Sequence, residues 1–319
     1  MRSLVTGSAG FIGSHLVERL LEAGDEVVGI DGLVENYDLA LKRARVDRQR
    51  QEARFEYVGD MLETLDLDEL LEGVDRVFHL AALPGVRSSW GASFQDYASH
   101  NIYASQRLFE ASLQQGVGRV VYASSSSVYG DAAQLPMRES AREKPFSPYG
   151  VTKLAAEHLA RLYHRNYGLA TVSMRFFTVY GPRQRPDMAI QRFLTAARDG
   201  TSIRLFGDGE QTRDFTYVAD TVTALLRAAE RGQEGAVYNV GGGSTVTVNQ
   251  LIEAIEEVSG NRLQVEREGV QRGDVRDTCA DTSLAETELG FVPETSLREG
   301  LAKHWQAVAH ESTEALTSP

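Results

Sequence analysis

Residues 2–6 form a short apolar run that ends against a glycine, the pattern of a buried strand feeding a tight turn. A helical period follows over 11–24, and further strand runs fall at 26–30, 54–58, 75–81 and 118–124. A long helix pattern from about Phe94 to Gln115 separates the last two. Strand and helix patterns alternating across short connections predict a parallel, doubly wound α/β sheet. An amphipathic helix over 149–167 and a strand over 170–176 continue it, with Leu154, Leu159, Leu162 and Tyr163 on related helix faces. Beyond 176 the pattern is less regular. It predicts helices near 188–199, 216–231, 247–259 and 297–309, and short strands near 203–206, 236–240 and 263–267. The change implies a sheet domain over 1–175, to which parts of 205–240 return, and a smaller lobe over 176–310. Residues 311–319 are expected to be a frayed polar tail. The stretch from Asn36 to Arg54 carries Lys42, Arg43, Arg45, Arg48, Arg50 and Arg54, and is expected to present a solvated face rather than a phosphate contact.

Composition narrows the class. At 319 residues the chain exceeds what one core usually organises, in keeping with a large domain plus a lobe. Hydrophobic content of 42% and charged content of 24% are those of a globular protein. A net charge of -12 argues against non-specific nucleic-acid binding, whose footprint is basic. A local cluster of arginines can still hold a small anion. Cys279 is the only cysteine, so no intrachain disulfide forms and a reducing compartment is expected. The first strand begins at Arg2, which leaves no room for a signal peptide, and no apolar run approaches the ~20 residues of a spanning helix. The expectation is a cytoplasmic protein with neither a membrane nor a nucleic-acid partner.

The turn after the first strand reads Gly7-Ser8-Ala9-Gly10-Phe11-Ile12-Gly13. Glycines there allow a tight turn and a close backbone approach, and free amides at the helix start meet phosphate charge. The spacing alone is a weak signal; its position between strand and helix makes it a dinucleotide loop. Asp31 closes the second strand, where a carboxylate can accept from both adenosine ribose hydroxyls and repel a 2′-phosphate. NAD is thus favoured over NADP; the competing role for Asp31 is a turn residue before Gly32. Asp60 can meet the adenine amino group or simply close a Gly-Asp turn.

Tyr149 and Lys153, in Ser147-Pro148-Tyr149-Gly150-Val151-Thr152-Lys153, share one helical face. An ammonium beside a phenol favours the phenolate, which makes a Tyr that titrates near ~10 a base closer to neutral pH. Such pairs occur on many solvated helices, so the meaning comes from the surroundings. Ser124-Ser125-Ser126-Ser127 follows an apolar strand and lies at the carboxyl edge of the sheet, where ligand sites form. One serine there can bond a substrate hydroxyl and pass its proton to Tyr149. Together the three features point to hydride chemistry on an alcohol.

The glycine loop, Ser-Ser-Ser-Val-Tyr-Gly, Tyr-x-x-x-Lys and Arg213-Asp214-Phe215-Thr216-Tyr217 resemble the extended short-chain dehydrogenase/reductases that modify nucleotide sugars. The resemblance runs from Leu4 to about Leu301 and rests on the motifs in combination. It implies a Rossmann-type sheet domain that binds NAD and a C-terminal α/β lobe that binds a UDP-sugar. Ser125 then takes the catalytic Ser/Thr role, Ser127 lines the sugar pocket, and Tyr149 is the base. Lys153 holds the nicotinamide ribose and lowers the Tyr149 pKa. Met61, Leu80, Ala81, Ala82 and Phe176 complete the cofactor site with Gly7, Gly10, Phe11, Ile12, Gly13, Asp31 and Asp60. A homodimer packed through the 94–115 and 149–167 helices follows from the same resemblance.

Sugar dehydratases and decarboxylases of that superfamily carry acidic residues in the serine segment, because elimination needs an extra acid/base pair. Ser126 and Ser127 stand there instead, and reversible oxidation at C4 is what the remaining groups can do. Phe176-Phe177-Thr178-Val179-Tyr180-Gly181-Pro182-Arg183-Gln184-Arg185-Pro186-Asp187-Met188 is similar to bacterial UDP-glucuronate 4-epimerases, in which a Thr and an Arg address the sugar carboxylate. The resemblance gives these roles to Thr178 and Arg185, and an arginine fork suits a carboxylate bidentately. The alternative for Arg185 is a main-chain carbonyl or a uridine phosphate. Leu83-Pro84-Gly85-Val86-Arg87 resembles the same subgroup, with Arg87 near the sugar or diphosphate. Arg213 and Arg276 are implied as diphosphate ligands, with Arg272 a competitor. Thr278 matches a gate position whose small side chain leaves UDP-GlcNAc open.

The seven histidines are scattered and Cys279 has no partner, so no metal site is expected. His79, inside an apolar strand run, is expected to be a satisfied structural residue. No Gly-x-Ser-x-Gly elbow is present, and Gly241-Gly242-Gly243 has no following lysine to make a P-loop. The reading is an NAD-dependent 4-epimerase of UDP-glucuronate, with UDP-glucose or UDP-GlcNAc as the rival sugar. A non-catalytic NAD-binding regulator on the same fold is the alternative from another class.

Overall fold

A computed structural model describes residues 1–131, 134–269 and 275–315. The first strands and helices follow the alternation in the sequence: β1 (Arg2–Thr6), α1 (Phe11–Glu22), β2 (Glu26–Ile30), α2 (Leu39–Gln49) and β3 (Phe55–Val58). Next come α3 (Leu67–Leu71), β4 (Arg76–His79), α4 (Phe94–Ala98), α5 (Ala104–Gln114) and β5 (Arg119–Ser125). The middle of the chain holds α6 (Pro148–Tyr167), β6 (Thr171–Phe176), β7 (Thr178–Tyr180), α7 (Ala189–Asp199) and β8 (Ser202–Phe206). The last part comprises β9 (Thr212–Tyr217), α8 (Val218–Arg231), β10 (Val237–Val240), β11 (Thr245–Thr247) and α9 (Val248–Ser259). It closes with β12 (Gln264–Glu268), α10 (Ser283–Leu289) and α11 (Leu297–Ala315).

Seven parallel strands in the order β10-β6-β5-β4-β1-β2-β3 make the central sheet. This is the doubly wound α/β architecture, with helices covering both faces and apolar strands between them. Leu4, Val77, Val120 and Leu108 pack on one side, and Val5, Phe78, Val121 and Leu16 on the other. β10 reaches the sheet from the C-terminal half through parallel pairing with β6. A three-stranded sheet β11-β9-β7 and a two-stranded pair β12-β8 stand outside it.

Three local features shape the sheet's carboxyl edge. The long helix expected over 94–115 contains a π-helical turn at Ser99–Tyr103. It turns Asn101 inward, where Oδ1 accepts from Leu83 N at 2.7 Å and Nδ2 donates to Leu83 O and Thr152 Oγ1. The segment after β4 is thereby tied to α6. At the start of α6, Ser147 caps Gly150 N and Pro148 occupies the first turn, a helix start legible in the sequence. A Cβ on Gly150 would lie 2.5 Å from Ser127 O, so only glycine lets this helix end meet the serine segment. Farther along α6, Glu157 is fully buried. It accepts from Ser124 Oγ at 2.7 Å and from Arg175 Nη2 at 2.6 Å, which joins α6 to β5 and β6.

Two expectations are corrected. Lys42 and Arg45 do not lie on a solvated face: Lys42 donates to Val34 O and Asn36, and Arg45 to Ala9 O, Arg183 O and the Tyr37 hydroxyl. Irregular backbone around the glycine loop leaves carbonyls that need donors, and long basic side chains supply them. The helix expected from 216 begins at Val218, because 212–217 is taken by β9 pairing with β7 and β11.

Candidate active site

The carboxyl ends of the central strands open on a cavity of about 480 Å³. Gly7, Gly10, Phe11, Ile12 and Gly13 line one end. Gly7 has φ +72°, and a Cβ there would sit 2.9 Å from Ala81 N; a Cβ on Gly13 would sit 2.0 Å from Gly7 O. The loop therefore admits no side chain at either position. Gly10 gives α1 no side-chain cap, so its first amides face the cavity end without a competing hydroxyl or carboxylate. Thr6 Oγ1 accepts from Leu80 N and Ala81 N, which fixes the Leu80-Ala81-Ala82 wall. His79 bonds Thr6 and Ser105, and burial lowers its pKa to about 3, so it stays neutral.

Asp31, Asp60 and Met61 line the same end. Asp31 accepts from Ala9 N at 3.1 Å and Leu33 N at 2.9 Å, while burial raises its pKa against these bonds. Asp60 Oδ1 accepts from Met61 N and Thr64 Oγ1, so it closes a turn as well as bordering the cavity. A helix start with free amides, glycines that cannot carry side chains and a buried acid at the end of β2 fit a dinucleotide such as NAD. Other lining residues gave no sequence signal, Glu63 and His100 among them. Glu63 and His100 pair at 2.5 Å through a contact between distant segments that no local pattern encodes.

Tyr149, Lys153, Ser125 and Phe176 lie deeper. Ser125 ends β5; its Oγ accepts from Ser127 N at 3.2 Å and lies near enough to the Tyr149 phenol to act on its pKa. Tyr149 N donates to Ser89 Oγ, and its ring meets Tyr97 edge-on at 6.4 Å. Burial pushes the phenol above its usual pKa; the Ser125 hydroxyl and the Arg185 charge pull it back. Lys153 Nζ sits 4.5 Å from the Tyr122 ring centroid, and burial lowers the ammonium to about 7 against the opposing charge of Glu157. The expected depression of the phenol by Lys153 is not met in this geometry. Desolvation disfavours both charged forms here, and the cation that acts on Tyr149 is Arg185.

Ser127, Thr178 and Arg185 line the cavity on the lobe side. Arg185 is largely covered and holds Asp187 bidentately, at 2.9 Å from Nε and 2.7 Å from Nη2. Arg87, Arg213 and Arg276 do not line the cavity. Arg87 stacks 5.0 Å from the Phe206 ring centroid. Arg213 donates to the carbonyls of Thr212, Val275 and Arg276. Arg276 is exposed, 3.8 Å from Asp208. Arg272 lies outside the described residues. Thr278 is buried beside β9, where it accepts from Asp214 N, and forms no part of the cavity wall. Among the described residues no cluster of His, Cys, Asp and Glu could hold a metal, and no helix is long and apolar enough to cross a membrane.

Residues 3–241 match the NAD dependent epimerase/dehydratase family. A Bacillus subtilis protein named as an uncharacterized UDP-glucose epimerase, YtcB, is 44% identical over 94% of this chain and 96% of its own length. The UDP-glucuronate 4-epimerase of Thermodesulfobacterium geofontis is 39% identical over 94% of each chain. The crystal structure of the Bacillus cereus UDP-glucuronic acid 4-epimerase, in complex with UDP-glucuronic acid and NAD, superposes with a TM-score of 0.94 at 39% identity. That match covers 98% of this chain and 100% of the other. Fold, cavity and whole-length likeness agree, and the chain belongs to the NAD-dependent epimerase/dehydratase family.

Proposed function

We propose that the protein is an NAD-dependent UDP-sugar 4-epimerase that converts UDP-glucuronate to UDP-galacturonate. One observation carries the substrate: Arg185 lines the cavity of Tyr149 and is close enough to act on its phenol. A guanidinium in the same cavity as the base suits a sugar with a 6-carboxylate, whereas a 6-hydroxymethyl needs no cation. Relatives and solved structures that act on UDP-glucuronate support the same reading.

Gly7, Gly10, Phe11, Ile12 and Gly13 would hold the cofactor's diphosphate, and Asp31 its adenosine ribose. Asp60 and Met61 would border the adenine, and Leu80, Ala81, Ala82, Lys153 and Phe176 the nicotinamide half. When bound, NAD supplies the reversible oxidation of sugar C4. Tyr149 takes the 4-hydroxyl proton beside or through Ser125 and later returns it. Ser127 contacts the sugar; Thr178 and Arg185 hold its carboxylate. A 4-keto uronic acid is a β-keto acid, and this grip keeps the carboxyl C–C bond out of line with the ketone, which suppresses loss of carbon dioxide. The serine segment offers no carboxylate to take a C5 proton, so elimination is disfavoured.

Residues 1–175, with the returning β10, form the cofactor domain in this reading, and 176–310 the UDP-sugar lobe. Arg213 and Arg276 are assigned to the diphosphate and Arg87 to the sugar or diphosphate, as the resemblance implies, although none of the three lines the cavity. We extend the proposal to a cytoplasmic homodimer packed through α4, α5 and α6. The rival sugar is UDP-glucose, after the name of the Bacillus subtilis relative. NMR of the products from UDP-glucuronate, UDP-glucose and UDP-GlcNAc in parallel tests the reading. UDP-galacturonate is the expected product. Turnover of UDP-glucose alone, or a decarboxylated pentose product, overturns it.

A further inference from the structure

Arg185, Pro186, Asp187 and Met188 form a turn, closed by Met188 N donating to Arg185 O at 3.1 Å. Pro186 sits at the second position, where its fixed φ suits such a turn. Gln184, buried just before it, anchors the turn to both neighbours. Its Nε2 donates to Val179 O in β7, and its Oε1 accepts from Gln191 N in α7. The turn brings Asp187 alongside Arg185, and both carboxylate oxygens accept from the Nε and Nη2 edge of the guanidinium.

The two side chains differ in where they face. Arg185 lines the cavity with 19% of its side chain exposed; Asp187 is 57% exposed and forms no part of the wall. Asp187 thus grips one edge of the fork from the solvent side. A guanidinium has a second bidentate edge, Nη1 with Nη2, and Asp187 leaves it unused. A long, flexible arginine held by one such clamp loses little further freedom when its other edge meets an anion.

We propose that Asp187 is a positioning residue that presents Arg185 to the sugar carboxylate, and so sets the preference for acidic over neutral UDP-sugars. This rests on the reading of UDP-glucuronate as substrate. A neutral sugar makes no use of the presented edge, so its binding is indifferent to Asp187. The charged neighbours are consistent with the role: Arg192 also draws on the Asp187 carboxylate, while Arg185 acts on Tyr149 and Tyr37.

Calorimetric titration of the NAD-loaded protein with UDP-glucuronate and UDP-glucose tests the proposal. Asp187→Ala is expected to weaken UDP-glucuronate binding about tenfold, the scale of a lost charge-assisted contact, and to leave UDP-glucose within about twofold. Asp187→Asn, which keeps one acceptor and the turn, is expected to fall between. In an Arg185→Ala background, Asp187→Ala should cost nothing more. Unchanged or tighter UDP-glucuronate binding in Asp187→Ala overturns the proposal, as does an equal loss on both sugars. The two readings separate through Arg185→Ala alone. If it weakens both sugars equally, the carboxylate assignment fails and this inference with it. If it is selective while Asp187→Ala is silent, only the inference fails.

Discussion

Lys153 and Tyr149 sit one helical turn apart, yet their surroundings act on them in ways the spacing does not convey. Lys153 is 3% exposed, over an aromatic face and near a single carboxylate, and its ammonium titrates at about 7. Its folded pKa lies below the unfolded value near ~10.4, so between these limits the unfolded chain binds the extra proton. Stability from this group is therefore lowest below about pH 7 and rises with pH towards the unfolded pKa. Lys153→Met, which removes the titration, should flatten that rise in urea denaturation of NAD-free protein followed from pH 6.5 to 10, a range of roughly the same limits. A rise that persists unchanged in the variant would show that another group carries it. The same residue scale explains Arg185: its cation reaches Tyr149, an effect that tertiary placement creates and linear spacing hides.

Elements bring these residues together. β5 delivers Ser125 and α6 delivers Tyr149 and Lys153; the two elements meet where Gly150 passes Ser127. Alanine is a better helix former than glycine, so Gly150→Ala would stabilise an isolated helix. Here the new Cβ falls 2.5 Å from Ser127 O, and backbone cannot swing aside as a side chain can. The expected outcome is a loss of about 1–3 kcal/mol in denaturant unfolding, the usual cost of overpacking, together with a fall in turnover. A variant as stable and active as the parent would show that α6 and the serine segment separate freely. The strands of the first 176 residues and the helices α1, α5 and α6 were legible in the sequence because their apolar runs match a sheet or helix period, whereas the charged α2 and the short α3 were not. The short strands β7, β9 and β11 were not, since their residues gain strand form from pairing across long separations.

The whole molecule presents exposed apolar side chains on α6 and on the π-helical turn that leads into α5. Tyr103 is 52% exposed, Val151 46% and Leu162 52%. Large apolar residues gathered on neighbouring helices mark a surface that another chain can cover. If the homodimer forms there, Leu162→Glu should shift the sedimentation coefficient from dimer to monomer. An unshifted dimer would place the contact elsewhere. At this scale the contributions of sequence and tertiary structure separate. Motifs fixed by local backbone chemistry determined the glycine turn, Asp31, Ser125 and the Tyr149–Lys153 pair, because each sits at a strand end or helix start that the chain itself encodes. Tertiary structure alone decided which charges act on those groups. It set Arg185 in the cavity of Tyr149, buried Lys153 over Tyr122, drew Thr278 out of the wall and placed Asp187 behind the fork. The reason is physical: a motif specifies a backbone path over a few residues, whereas burial and charge are sums over everything the fold brings near.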